Sequence, residues 1–139
     1  MKYAPLGRTG LLVSRLSFGA MTFGDTEIAP GARNHTDQKA ADTIVGHCLD
    51  AGVNLFDSAD SYGMGQSEEM LGKALGARRR DVLIATKAGF PVSRNKLDTG
   101  LNARHIIMAV DDALRRLGTD WIDIWQLHRF DDRTPYEEV

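Results

Sequence analysis

Four side chains able to do chemistry stand at or just beyond places where strands should end: Asp57, Tyr62, Lys87 and His128. Asp57 closes the apolar run 53–57, Lys87 closes 82–87, His128 closes 121–128, and Tyr62 follows five residues after Asp57. Polar groups gathered at the C-terminal ends of successive parallel strands surround one mouth of a (β/α) barrel, where such folds place their sites. A carboxylate and an ammonium at the same height on neighbouring strands form an ion pair in which each favours the charged state of the other. A tyrosine brought beside that ammonium has its phenolate stabilised, as a proton donor to a carbonyl oxygen requires. Singly, each residue has a plainer reading: a loop-solvating Asp57, a snorkelling Lys87, a satisfied loop His128, a half-buried Tyr62. Their concurrence points to a site.

The elements that must position them alternate strand and helix. A hairpin built from 2–4 and 11–13 around the turn-prone 7–10 precedes a first strand over 15–20 and a loop over 21–36. Thr36 is expected to cap a first helix ending near Gly52, with Ala41, Ile44, Val45, Cys48 and Leu49 on its apolar stripe. Ser67 is expected to cap a second helix reaching about Ala77, where Glu68 and Glu69 in the first turn suit the helix dipole. Asn102 caps a third, whose stripe of Ile106, Ile107, Val110, Ala113, Leu114 and Leu117 ends at Gly118. Thr134, Pro135 and Glu137 read as a capping box announcing a fourth helix.

Strand starts near 15, 53, 82 and 121 fit βαβ units, and the nearly continuous apolar strands fit a parallel sheet covered on both faces. A doubly wound sheet would want a glycine-rich phosphate turn after its first strand, but 19–24 is not G-x-G-x-x-G, and Gly63 with Gly65 lacks the third glycine. Counting back in twos puts Asp57, Leu55 and Val53, then Lys87, Ala85 and Leu83, then His128, Gln126 and Ile124 on one inner face. Three strands thus agree on where a barrel mouth lies.

Composition narrows the function classes. With 139 residues, 42% hydrophobic and 26% charged, the chain is long enough for one core and one domain. A formal net charge of -2 gives no reason to expect nucleic acid or an anionic membrane as partner, and the run Arg78, Arg79, Arg80 reads as a solvated loop. The N-terminus has no apolar signal-like region and no stretch is apolar enough to span a bilayer, so a cytoplasmic protein is expected. Cys48 is the only cysteine, which excludes an intrachain disulfide; it reads as inert packing, and no metal is called for.

Specific segments carry a family resemblance. Residues 57–63 followed by 67–72 resemble the second-strand motif of the aldo-keto reductases, 84–87 their third-strand lysine motif, and 123–131 with 134–138 the fourth-strand histidine and the helix after it. The opening 6–10 with 16–19 is similar to the hairpin that closes the barrel bottom in that family, so the match covers essentially the whole chain in the family's order. The resemblance implies a (β/α)8 TIM barrel, of which residues 1–139 supply the hairpin and about the first four units. It implies NADPH-dependent reduction of a small-molecule carbonyl substrate. Tyr62 would donate the proton, Lys87 would assist it, Asp57 would pair with Lys87 and lie at the cofactor, and His128 would orient the carbonyl. Gly19, Met21 and Thr22 would lie near the nicotinamide of NADP, and Phe23, Phe90 and Phe130 are candidates for the substrate pocket.

The family has roughly eight strand-helix units where this chain supplies about four, and the later half carries the groups for the adenine and phosphate end of the cofactor. The expectation is a partial product of a longer reductase; self-association of two halves through the open barrel edges, or a half barrel stable alone, are the alternatives. A cofactor-sensing regulatory subunit like the potassium-channel β subunits, or an inert truncated fragment, are the competing functional readings.

Overall fold

A four-stranded parallel sheet organises the chain, and the computed structural model describes residues 1–25, 27–29 and 31–139 of it. In chain order the elements are β1 (Tyr3–Pro5), β2 (Leu12–Ser14), β3 (Phe18–Gly19), β4 (Glu27–Ala29), β5 (Ala32–Arg33), α1 (Gln38–Asp50), β6 (Leu55–Asp57), α2 (Gln66–Leu75), β7 (Leu83–Ala88), α3 (Ala103–Leu117) and β8 (Ile124–Leu127). Strands β3, β6, β7 and β8 pair in that order, all parallel, with a helix between each successive pair as parallel pairing demands. The register places Gly19 beside Asp57, Asp57 beside Ala85, and Lys87 beside Gln126.

Alternation along the strands separates two faces. Phe56 and Ile84, both fully buried, point to the helices and join Ala41, Val45, Leu71, Leu75 and Leu117 in the core. Burial of each large apolar side chain there contributes about 1.5–3 kcal/mol. Leu55, Asp57, Leu83, Ala85 and Lys87 lie on the opposite, inner face by the same alternation. Val53, expected inside, precedes β6 and belongs to the helix-side core instead. The antiparallel β1–β2 hairpin is clamped at the N-terminal end of β6 by Asn54. Its side-chain oxygen accepts from the Ser14 N–H (2.7 Å), its amide donates to the Leu12 carbonyl (3.0 Å), and its backbone N–H donates to the Ser14 hydroxyl (3.1 Å).

Several local expectations are corrected. The N-cap of α1 is Asp37, whose carboxylate accepts from the Ala40 N–H at 2.8 Å, while Thr36 bridges Phe23 and Gly24 through its backbone. Ser67 is not a cap but lies fully buried inside α2, donating to the Ala20 carbonyl at 2.7 Å, because Gly65 with φ +93° starts the helix earlier. Loop 21–36 carries the short β4–β5 hairpin. On α3 the buried line is His105, Ala109, Ala113 and Leu117, with Ile107 exposed. Its close packing on α2, where the Leu117 carbonyl stands against Gly72, turns small residues inward. Ile44 of α1 is likewise exposed. Arg79 is not solvated: its guanidinium donates to the Val82 and Trp121 carbonyls (3.0 Å each) and to Asp123 (2.8 Å). Residues 136–138 form a turn rather than a helix, and the Thr134 hydroxyl donates to Asp131 at 2.9 Å instead of capping. Asn102 caps α3 as expected, accepting from His105 N–H. No helix among the described residues is long and apolar enough to cross a membrane.

Candidate active site

Lys87 is the hub of the site. It reaches from the end of β7 across the inner face, so that its ammonium donates to Asp57 Oδ2 at 2.7 Å, to the Ser58 carbonyl at 2.5 Å and to the Tyr62 hydroxyl at 3.4 Å. The same nitrogen stands 4.7 Å from the centre of the Tyr62 ring. Lys87 and Asp57 are 13% and 32% exposed at the side chain, enough shielding to strengthen their attraction without expelling water altogether.

The turn carrying Tyr62 is fixed to β7 by its backbone: Ser58 N–H donates to the Ala85 carbonyl (2.9 Å) and Asp60 N–H to that of Lys87 (3.1 Å). Beyond Tyr62 three successive residues adopt positive φ, namely Gly63, Met64 and Gly65. Glycine does this freely, whereas Met64 at φ 54° carries backbone strain of the kind that collects at functional sites. His128 follows β8, its N–H donating to the Ala88 carbonyl at 2.9 Å. Its ring stands edge-on to Tyr62, with centroids 5.5 Å apart, and to Phe90 at 4.7 Å. Nδ1 meets the Ser61 hydroxyl at 3.4 Å. Burial, with the Lys87 charge added and Asp57 opposing, holds the imidazole below its ordinary pKa. His128 is therefore a neutral ring at pH 7, able to donate a hydrogen bond rather than a charge.

These groups border a cleft of about 380 Å³ lined by Met21, Ser61, Tyr62, Met64, Phe90 and His128, with Glu27 of β4 at its edge. A larger surface concavity of about 710 Å³, beside Arg79, Arg115 and Trp121, contains none of them.

The structure thus brings Asp57, Tyr62, Lys87 and His128 together and puts Met21 and Phe90 on the same cleft. Gly19 lies next to Asp57 in the register, with open space where a side chain would stand, so a planar ring can approach its backbone. Thr22 is exposed on the adjoining turn and does not line the cleft. Phe23 is corrected outright: it is fully buried against Phe18, 5.4 Å between centroids, in the helix-side core. Phe130 is also corrected, being 70% exposed over a separate groove with Leu127, Pro135 and Tyr136. Sequence reading missed Ser61, which touches His128, and Glu68, which is fully buried, accepts from the Thr86 hydroxyl at 2.6 Å and pairs with Arg116 at 2.7 Å. Glu68 sits in the first turn of a helix, where an acid needs no further explanation, so nothing in the sequence marked it.

A model of the aldo/keto reductase family matches residues 15–139. Across its whole length the chain is 43% identical to a probable voltage-gated potassium channel subunit beta of Oryza sativa, and 36% identical to an aldo-keto reductase of Bacillus subtilis. It covers 40% and 41% of those proteins. A versiconal hemiacetal acetate reductase of Aspergillus parasiticus is 37% identical, with 45% of its length covered. Among solved structures, an aldo-keto reductase from Bacillus halodurans in its holo form superposes with a TM-score of 0.84 at 38% identity, over 99% of this chain and 43% of that one. The chain spans less than half the length of the relatives it matches.

Proposed function

The chain belongs to the aldo/keto reductase family as an N-terminal portion of its TIM barrel, and from that premise we propose that it carries the proton-transfer site of an NADPH-dependent carbonyl reductase. The observation that carries the reading is the Lys87 ammonium, which touches both Asp57 and the Tyr62 hydroxyl at the cleft. Members of the family use nicotinamide cofactors, and the open backbone at Gly19, with Met21 and Asp57 beside it, fits the flat end of one. Bound there, NADPH supplies a hydride to the carbonyl carbon.

The chain's own residues do the rest. Tyr62 gives its hydroxyl proton to the carbonyl oxygen, so that the oxygen leaves as an alcohol and never as a free alkoxide. The phenolate that remains is stabilised by Lys87, which Asp57 and the Ser58 carbonyl hold in place. Neutral His128 donates a hydrogen bond that orients the carbonyl, and Met21, Met64 and Phe90 keep the cleft apolar. Substrates are accordingly small aldehydes or ketones with an apolar body, and a cytoplasmic setting, where NADPH is replenished, belongs to the same reading.

The test is a fluorescence titration with NADPH alongside an aldehyde-reduction assay and light scattering. Tyr62→Phe is expected to lower turnover by about 100-fold or more while leaving NADPH affinity nearly unchanged. Equal turnover in wild type and variant would remove Tyr62 from the proton-donor role. The similarity to a potassium channel subunit beta favours one second reading, a cofactor-sensing subunit, which predicts saturable NADPH binding with no turnover. Light scattering reports whether copies associate, as the outer edges of β3 and β8, unpaired among the described residues, would allow.

A further inference from the structure

Asp60 sits two residues before Tyr62, yet its side chain lines a different space. That space is a cavity of about 70 Å³ on the α3 side of the sheet, shared with Asp98, His105, Met108, Asp112 and Arg116. Asp60 and His105 are each only 3% exposed. Among the described residues, neither Asp60 oxygen nor His105 Nε2 meets a protein hydrogen-bond partner. A buried carboxylate without a partner is far more costly as an anion than as a neutral acid. The Asp60 backbone, by contrast, is firmly held, its N–H donating to the carbonyl of Lys87.

The charged and titratable groups around Asp60 come from every neighbouring element. Glu68 faces it from α2; His105, Asp112 and Arg116 from α3; Lys87 from β7; and Asp98 from the connection before α3. Arg116 donates its Nε–H to Glu68 at 2.7 Å and, among the described contacts, reaches neither Asp60 oxygen. Burial, reinforced by the Glu68 charge, pushes the Asp60 carboxyl up to about 7. The Ser61 N–H, which does not reach hydrogen-bond geometry, and the charges of Arg116 and Lys87 oppose that shift without cancelling it. Burial also holds His105 below its ordinary value, so its ring is neutral at pH 7 and offers a lone pair. The cavity has room for about two waters, each taking roughly 30 Å³, with polar groups on both sides to receive them.

We propose that Asp60 is a positioning residue for Tyr62: as a neutral acid joined to His105 through water in this cavity it keeps the 58–63 turn seated, and on ionising it unseats that turn. This rests on the reading of Tyr62 as the proton donor, but its test needs no turnover. The sign follows from burial. Asp60 binds its proton more tightly folded than unfolded, so its favourable contribution is complete at low pH and is lost as pH rises from about 4 toward 7.

The experiment is nuclear magnetic resonance of the full chain between pH 5.5 and 8.5, following the backbone amides of Ser61, Tyr62 and Gly63 and the side-chain carboxyl carbon of Asp60. All four signals are expected to move together with a midpoint near 7. In Asp60→Asn, which keeps the shape and cannot ionise, the amide titration should vanish. In His105→Phe, where an apolar ring fills the cavity, the midpoint should rise. An Asp60 carboxyl titrating at its ordinary value, roughly 4, would overturn the proposal. So would amides that stay still while Asp60 titrates, or an amide titration that persists in Asp60→Asn and so belongs to His128. A midpoint unmoved in His105→Phe would overturn the water link to His105. The carboxyl signal is read on the wild-type protein and therefore decides the matter even if a variant fails to fold.

Discussion

Removing Arg116 tests whether the ground beneath the site is held by one buried charge pair. Glu68 is fully buried, and Arg116 is its cation at 2.7 Å, with the Thr86 hydroxyl as a second donor at 2.6 Å. The three residues tie α2, α3 and β7 together directly behind Lys87. Arg116→Met keeps most of the aliphatic stem that packs against Gly65 and deletes only the charge. Stripping one partner from a buried pair costs about 3–5 kcal/mol. Arg116 is 21% exposed, so water relieves part of the loss and the lower end, about 3 kcal/mol, is expected. Against a total stability of roughly 5–15 kcal/mol this is large, and at about 3 °C per kcal/mol it lowers Tm by roughly 10 °C. The assay is urea and thermal unfolding followed by circular dichroism at pH 7. The double variant Glu68→Gln with Arg116→Met removes the stranded charge as well, and should recover most of the loss. A single variant within about 0.5 kcal/mol of wild type, or a double variant no better than the single, would refute the argument that the pair matters because its carboxylate is buried.

Two other perturbations follow from the packing. Gly72→Ala sets a methyl against the Leu117 carbonyl where α2 and α3 touch, and should destabilise by about 1–3 kcal/mol, read from the urea midpoint; an unchanged midpoint would mean the helices part without cost. Asp131 accepts the backbone N–H of Leu101 at 2.9 Å, and that bond, with those of Arg133 and Thr134, holds its carboxyl well below the usual carboxylate range. Its contribution is therefore complete above the unfolded value, roughly 4, and is lost as pH falls below it. Urea midpoints measured from pH 7 to 2 should fall more steeply for wild type than for Asp131→Asn, and parallel curves would sink the assignment.

The sequence spoke clearly wherever one residue's position follows from a period. Alternation along 55–57 and 83–87 put Asp57 and Lys87 on one face, and the sheet register agrees, because a strand that must bury Phe56 and Ile84 against helices has no other choice for their neighbours. Helix existence was equally legible, but faces and caps were less so. Ile107 fits a periodic stripe and is exposed, since the approach of α3 to α2 is set by Gly72, a residue with no hydrophobic signal of its own. Ser67 looked like a cap because serine before a helical run usually is one; the left-handed glycine before it let the helix begin sooner and turned the hydroxyl inward. Phe23 reads as a mouth residue because it lies on a loop, yet loops too contribute to a core when their apolar side chains fall beside it. The buried partners of Glu68 and Arg79 were illegible, because a charged residue on a helix or in a basic run reads as solvated until its neighbours from distant segments are known.

The register also explains why the central cation is a lysine. Asp57 lies beside Ala85, not beside Lys87, so the two charged residues are not at one height: Lys87 stands two residues farther toward the mouth. Two residues of a parallel strand rise about 6.6 Å. A side chain leaving the inner face at Lys87 must therefore reach back by that distance to meet Asp57 and the Ser58 carbonyl, and a four-carbon stem with a compact ammonium can do so while presenting its remaining hydrogen to Tyr62. A planar guanidinium, longer and fixed in its fork, would have to choose between the carboxylate and the phenol. The offset separates Asp57 at the floor of the mouth from Tyr62 and His128 at the cleft, with Lys87 in contact with both levels. On the proposed reading of Tyr62 as proton donor, electrostatic support for that proton's departure comes from below the cleft and leaves the space above it open.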